Sequence, residues 1–356
     1  MLGGFAIVVS TVFQAVKTVV VPRATSSFIT SLVFKSIRPL FGVLARERRD
    51  FAVRDRVLAY YAPIGLILLP GAWVGCVLVG FALVLWGTGL DPISEAFSVS
   101  GSSLTTLGFA RGEPGVQTAV SIVEATIGLI LIALLISYLP AIYSGFSRRE
   151  VLVGMLTARA GTPPSPVELL ARAGRIGGLD DVPPLLMRWE EWFIDIEESH
   201  TSLPMLVFFR SPRPDRNWVT AAGCILDTAS LYVAVVEGSR PAARAQILIR
   251  TGYLALRRIA DSFHVTYDAD PAPEDPISVS RSEFDVAWIE LLAAGVPLKA
   301  DKEQAWRDFA GWRVNYDAPL VALASLVIAP PSRWSGDRSA PAPRGLLRKR
   351  GAAGRQ

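Results

Sequence analysis

The chain has 356 residues, 51% of them hydrophobic and 19% charged, with a mean hydropathy of +0.37. Soluble domains average about 25% charged residues, so the composition leans towards a membrane protein. The net charge is only +4 and no basic patch carries interleaved aromatics, which sets nucleic acid aside as a partner.

The apolar residues concentrate before about residue 145, and charges and prolines follow, so a membrane half should precede an aqueous half. Cys76 and Cys224 sit in separate apolar segments outside any CxxC or Cys/His cluster, which argues against a disulfide or structural zinc.

Residues 5–21, "FAIVVSTVFQAVKTVVV", sit at the lower length limit for crossing a bilayer and are interrupted by Gln14 and Lys17. They lack the charged start and cleavage site of a signal peptide. Two readings stay open: an interfacial helix, or a third span with its N-terminus outside. Residues 28–44, with Lys35, Arg38 and Pro39 among apolar residues, suit a helix at the inner membrane surface.

Val57 to Trp86 is an uncharged run flanked by aromatics, and it predicts a transmembrane helix kinked at Pro63 and Pro70. Gln117 to Tyr143, with Glu124 as its one ionisable group, predicts a second. Arg46, Arg48, Arg49, Arg54 and Arg56 precede the first span, and Arg148 and Arg149 follow the second; only Arg111 lies between. The positive-inside bias puts residues 22–56 and everything after 145 in the cytoplasm of a multi-pass plasma-membrane protein, with 87–116 facing out.

The segment between the spans opens with a helix signal, Asp91 as N-cap and Pro92 at the first helical position, followed by "ISEAFSVSGSSL". It closes on "TTLGFAR". Non-helical backbone at membrane depth requires burial in protein or a water-filled space, so a short helix and a Thr/Gly strip here fit a re-entrant loop.

Span, short helix, "TTLGF", span resembles the pore module of the two-transmembrane potassium channels, over about residues 57–145. The resemblance implies a two-span pore-loop module; with the helical patterns after residue 150, the fold expected is an all-α integral membrane protein, that module plus a helical cytoplasmic domain. It implies passive conduction of potassium or another monovalent cation, no cofactor, and a homotetramer in the lipid bilayer, because one loop per chain cannot close a pore. On matching positions Thr105 and Thr106 are the inner filter residues and Leu107 fills the hydrophobic position. Gly108 is the filter glycine, and Phe109 braces from behind.

Two positions of the pore mouth depart from the family pattern. Ala110 stands where the filter closes on glycine, and alanine at positive φ pays roughly a kcal/mol or more. Arg111 stands where an aspartate is common, so a tetramer would ring its mouth with four cations unless Glu113 offsets them. These departures motivate an alternative, a non-conducting membrane-anchored scaffold that reuses the pore fold. In the second span, Gly128 matches the depth of a gating-hinge glycine, and Pro140 is placed to bend the cytoplasmic end. Glu124 is expected to buttress the pore helix, accepting from Ser100, Ser102 or Ser103, or else to stay wet near the outer interface.

Four regions follow: 1–56 membrane-associated, 57–149 pore module, 150–331 cytoplasmic domain, 332–356 disordered basic tail. In the cytoplasmic part, "GTPPSPVELL" (161–170) starts a helix at Ser165 or Pro166, and Trp189, Trp192, Phe193 and Ile196 recur at helical spacing. Residues 219–236 carry Asp227 at their centre and read as a buried core helix. Helical patterns continue at 242–263, 280–295 (Ser280 and Glu283 as capping box) and 301–328. "SPRPDR" (211–216) with the preceding Arg210 reads as a solvated loop, the alternative being an anion or lipid headgroup held through Arg210, Arg213 and Arg216; His200 and His264 read as helix-end residues. No GxGxxG, nucleophile elbow or metal-ligand cluster marks an enzyme.

Overall fold

The computed structural model describes residues 1–21, 28–45, 50–238 and 242–338. Arg46, Arg48 and Arg49, used above for orientation, and the tail from 339 onward lie outside the described residues. Among those described the chain is helical, with one isolated antiparallel bridge, Val236 to Leu298.

The first half is a bundle of apolar helices. Helix α1 (Leu2–Val20) packs against α4 (Tyr61–Gly87), and its Met1 lies beside Gly87 while its Gly4 meets Gly80 and Val84. The two therefore run antiparallel. A Cβ on Gly4 would sit 2.4 Å from the Gly80 carbonyl oxygen, so paired glycines let these backbones close. Standing beside α4 and not across its end, α1 fits a third column better than an interfacial helix. Helix α2 (Phe28–Leu44) covers the start of α4, where the Phe34 ring fills the space a side chain on Gly65 would need.

The predicted span from residue 57 is two helices, α3 (Phe51–Leu58) and α4, parted at Ala59 and Tyr60. Pro63 accounts for the break, since its ring crowds the carbonyl four residues back, at Ala59, and it has no N–H to bond there. A short helix, α5 (Ile93–Leu104), follows α4. Helix α6 (Val116–Ala160) then runs 45 residues without interruption, about 68 Å at 1.5 Å per residue. The boundary expected at residue 149 thus falls inside one continuous helix.

The second half is a layered helical domain of α7 (Pro166–Arg175), α8 (Val182–Ser202), α9 (Trp218–Val235), α10 (Ala242–Asp261), α11 (Arg281–Ala293), α12 (Lys302–Arg313) and α13 (Asp317–Val327). Ser165 caps α7 by accepting from Glu168 N, and Ser280 and Glu283 form the predicted capping box on α11. Residues 301–328, read as one helix, are two. Pro319 in the first turn of α13 crowds the Asn315 carbonyl, as Pro63 does in α4. Among the described residues four helical stretches are long and apolar enough to cross a membrane: α1, Phe51–Gly87 (α3 with α4), α6 and α9. Of the 18 residues of α9, 94% are buried by their neighbours, whereas in the most apolar 18-residue stretch of α6 only 17% are; α6 presents Ile122, Val123, Leu129, Ile132, Ile136 and Tyr143 outward.

A buried ionic network centres on α9 and α12, with Arg313 and Asp227 wholly enclosed. Arg313 pairs with Asp227 through one guanidinium nitrogen, with Asp317 through Nε at 2.8 Å, and donates to the Trp334 carbonyl at 2.5 Å. Tyr316 donates to Asp227 at 2.8 Å. The bond to Trp334 belongs to a segment that corrects the expected tail boundary: Ser332, Trp334 and Ser335 are buried against the domain, so its fold runs through Arg338. Cys76 and Cys224 are free thiols.

Candidate functional site: the loop after helix α5

Helix α5 begins at Ile93 with Pro92 at the N-cap position, one residue later than expected. Asp91 does not cap it; its Oδ1 accepts from Trp86 Nε1 at 2.7 Å and so pins the loop to the end of α4. The helix is wedged between α4 and α6 by Ala96, Val99, Ser100, Ser102 and Leu104, all buried.

Small residues permit the wedge. Gly128 lies where α6 passes the end of α5, and a Cβ there would stand 2.4 Å from the Leu104 carbonyl oxygen. The close approach of α5 by itself requires glycine here. Glu124, one turn nearer the loop, is fully buried rather than wet. Ser100 Oγ lies 2.5 Å from Glu124 Oε1 and 3.0 Å from the Leu78 carbonyl, so one serine ties α4, α5 and α6 together. The Ser100–Glu124 hydrogen bond is one of the three contacts that the sequence suggested for this carboxyl.

The strip Thr105–Phe109 hangs from the end of α5 by its N–H groups. Thr106 N donates to Ser103 O at 3.0 Å, Leu107 N and Gly108 N both to Ser102 O at 3.0 and 3.3 Å, and Ala110 N to Ser102 Oγ at 3.0 Å. Ser102 is thus the anchor of the loop, a role that sequence reasoning missed. The carbonyls of residues 105–109 accept no hydrogen bond among the described residues. All five residues are exposed, Leu107 at 71% and Phe109 at 69%.

Backbone strain sits elsewhere than expected. Gly108 takes φ 72°, which glycine tolerates, but Ala110 is not in the left-handed region. It packs against Leu85, Leu90, Ala96 and Val99, so its Cβ contributes to packing instead of costing strain. The strained residue is Thr106, at φ 57°, where a β-branched side chain costs about 1–3 kcal/mol. Arg111 and Glu113 are both exposed, and no ion pair joins them among the described residues. The Glu113 N–H is bound instead by Gln117 Oε1 at 2.8 Å, which closes the return into α6. Pro140 lies exposed on α6, which continues through it.

Further along α6, Arg149 was legible only as a flanking cation, yet it is fully buried. It donates to the Leu206 and Phe209 carbonyls at 2.8 and 2.7 Å and pairs with Glu150. Its NH1 lies 3.2 Å from His200 Nε2. His200 is therefore no solvated helix end. Arginine can only donate, so Nε2 is bare and the ring proton is on Nδ1, 3.1 Å from Ser199 Oγ. Burial, and then the Arg149 cation, push the His200 pKa well below 6.5. Acid therefore protonates the unfolded chain first, and stability should fall as pH drops below 6.5. Thermal unfolding at about pH 7.5 and about pH 5 should show a drop in midpoint that His200→Gln makes smaller. His264, in contrast, is an exposed helix-end residue as expected.

Arg210, read as part of a solvated loop, is buried and paired with Asp55 of α3. No group of three or more His, Cys, Asp or Glu side chains among the described residues is placed to hold a metal ion. No family model, curated protein or solved structure matches this chain.

Proposed function

We propose that the chain is one subunit of a potassium-channel-like pore, conducting a monovalent cation passively. Four copies would surround the strip Thr105–Phe109 in the plasma membrane, with residues after 145 cytoplasmic and serving gating or interaction. The observation that carries this reading is the polarity of the strip: the N–H groups of Thr105 to Gly108 turn back onto Gly101, Ser102 and Ser103, and the five consecutive carbonyls are unpartnered among the described residues. Unpartnered carbonyls are what a dehydrating cation requires. The exposed Leu107 and Phe109 side chains are apolar surface that neighbouring subunits would cover.

Purified protein in liposomes should give a potassium flux. Gly108→Val should cut it roughly tenfold, because a left-handed side chain costs about 1–2 kcal/mol and displaces the loop conformer by that factor. Cross-linking in membranes should end at a four-subunit band, and a strict monomer would remove the pore.

Arg111 favours a second reading, a non-conducting scaffold built on the same fold. Four exposed guanidinium groups without acidic partners would repel cations from the mouth. A tetramer that carries no flux, and gains it on Arg111→Asp, would establish the charge as the block.

A further inference from the structure

A cavity of about 800 Å³ opens where the apolar bundle meets the second half, at the end of α4 opposite the loop. Its walls come from α2, α3, the first turn of α4, Phe208, Arg210 and the end of α13. One side is apolar, with Phe41, Leu58, Tyr61 and Phe208 in edge contact or close by. The other is cationic, with Arg38, Arg54 and Arg210.

The three arginines are not equivalent. Arg210 is committed: it pairs with Asp55 and donates to the Val327 and Ile328 carbonyls at 2.7 and 2.9 Å. Asp215 adds a second acidic charge near Asp55. Arg38 and Arg54 have no ion pair among the described residues, and Arg54 Nε is buried without an acceptor. Arg54 is half-buried, and its Nε, shielded from water, is left open to an acceptor that is not among the described residues. Helix α2 leaves Leu40, Val43 and Leu44 uncovered beside the cavity-lining Phe41, Gly42 and Ala45.

We infer that this cavity binds an anionic phospholipid. The headgroup phosphate lies between Arg38 and Arg54, and the glycerol and upper acyl chain lie against Phe41, Leu58 and Tyr61. Arginine suits this role because its planar fork meets phosphate oxygens in pairs. The inference rests on the membrane reading: if α4 crosses a bilayer, its first turn at Tyr61 stands at headgroup height, where cations meet the anionic inner leaflet. A free phosphate would satisfy the arginines but would leave the aromatic wall without an occupant.

The test uses the full chain in detergent, titrated with short-chain phosphatidylglycerol, short-chain phosphatidylcholine or inorganic phosphate while the thermal midpoint is followed. Phosphatidylglycerol should raise the midpoint saturably, and phosphatidylcholine should not. Arg38→Gln, an exposed position that leaves the fold intact, and Arg54→Gln should together weaken the apparent affinity by about tenfold or more. Arg159→Gln with Arg188→Gln, in the separate basic groove beside α7, should not change it. Equal shifts from both lipids, an equal shift from inorganic phosphate at the same concentration, or an Arg38→Gln protein that binds like the parent would overturn the lipid site. Fractionation of expressing cells separates the two failures. Protein in the soluble fraction defeats the membrane reading, whereas membrane-borne protein without preference for phosphatidylglycerol defeats only the site.

Discussion

Arg313→Ala should destabilise the second half by about 3–5 kcal/mol, the largest loss expected of any single substitution in this chain. The guanidinium is wholly buried and serves Asp227, Asp317, Ser278 and the Trp334 carbonyl at once. Removing it strands the fully buried Asp227, whose other oxygen already lacks a partner, and frees the segment around Trp334. Chemical denaturation followed by tryptophan fluorescence should show the loss, since Trp218 and Trp334 lie in the same core. Asp227→Asn keeps an acceptor for Tyr316 and should cost less. If the two variants unfolded together near the parent midpoint, the network would be peripheral to stability.

Gly128→Ala should lower stability by about 1–3 kcal/mol and reduce any flux with it, because overpacking cannot be relieved where the obstacle is backbone. The added Cβ meets the Leu104 carbonyl oxygen at 2.4 Å and its Cδ1 at 3.2 Å. Leu104 ends α5, so the clash moves the helix from which the strip hangs. Gly75→Ala in α4, with nothing within 4 Å of the new carbon, supplies the contrast. There the gain in helix propensity should raise stability by up to about 1 kcal/mol. A Gly128→Ala protein as stable as Gly75→Ala, with altered opening alone, would restore the hinge role to this glycine.

What sequence could show followed from whether the physics was local. Helices α4 and α6 announced themselves because length and apolarity are properties of a contiguous stretch. The capping of α7 and α11 was legible for the same reason, three residues apart. The split at Asn315 was readable too: Pro319 predicts it by the rule that parts α3 from α4. Arg149, His200 and Arg210 were misread because their environment is made elsewhere. Arg149 is buried by carbonyls of residues 206 and 209, and Arg210 by Asp55, 155 positions earlier. The loop divides in the same way. Its motif and the Glu124 buttress were visible, but not Ser102 as the anchor of its N–H groups. Nor was the shift of strain from Ala110 to Thr106, since φ depends on the turn that encloses a residue.

The unbroken course of α6 has a mechanical meaning. Gly128 at the foot of α5 and Arg149 inside the second half are fixed on one rod, about 30 Å apart at 1.5 Å per residue. An α-helix resists torsion because turning one end strains every backbone hydrogen bond along it, and Pro140 is the one residue between the two without an N–H to give. A rotation imposed on the 204–209 segment through Arg149 therefore reaches α5 as torque. Leu104, whose carbonyl closes on Gly128, is where that torque would meet α5.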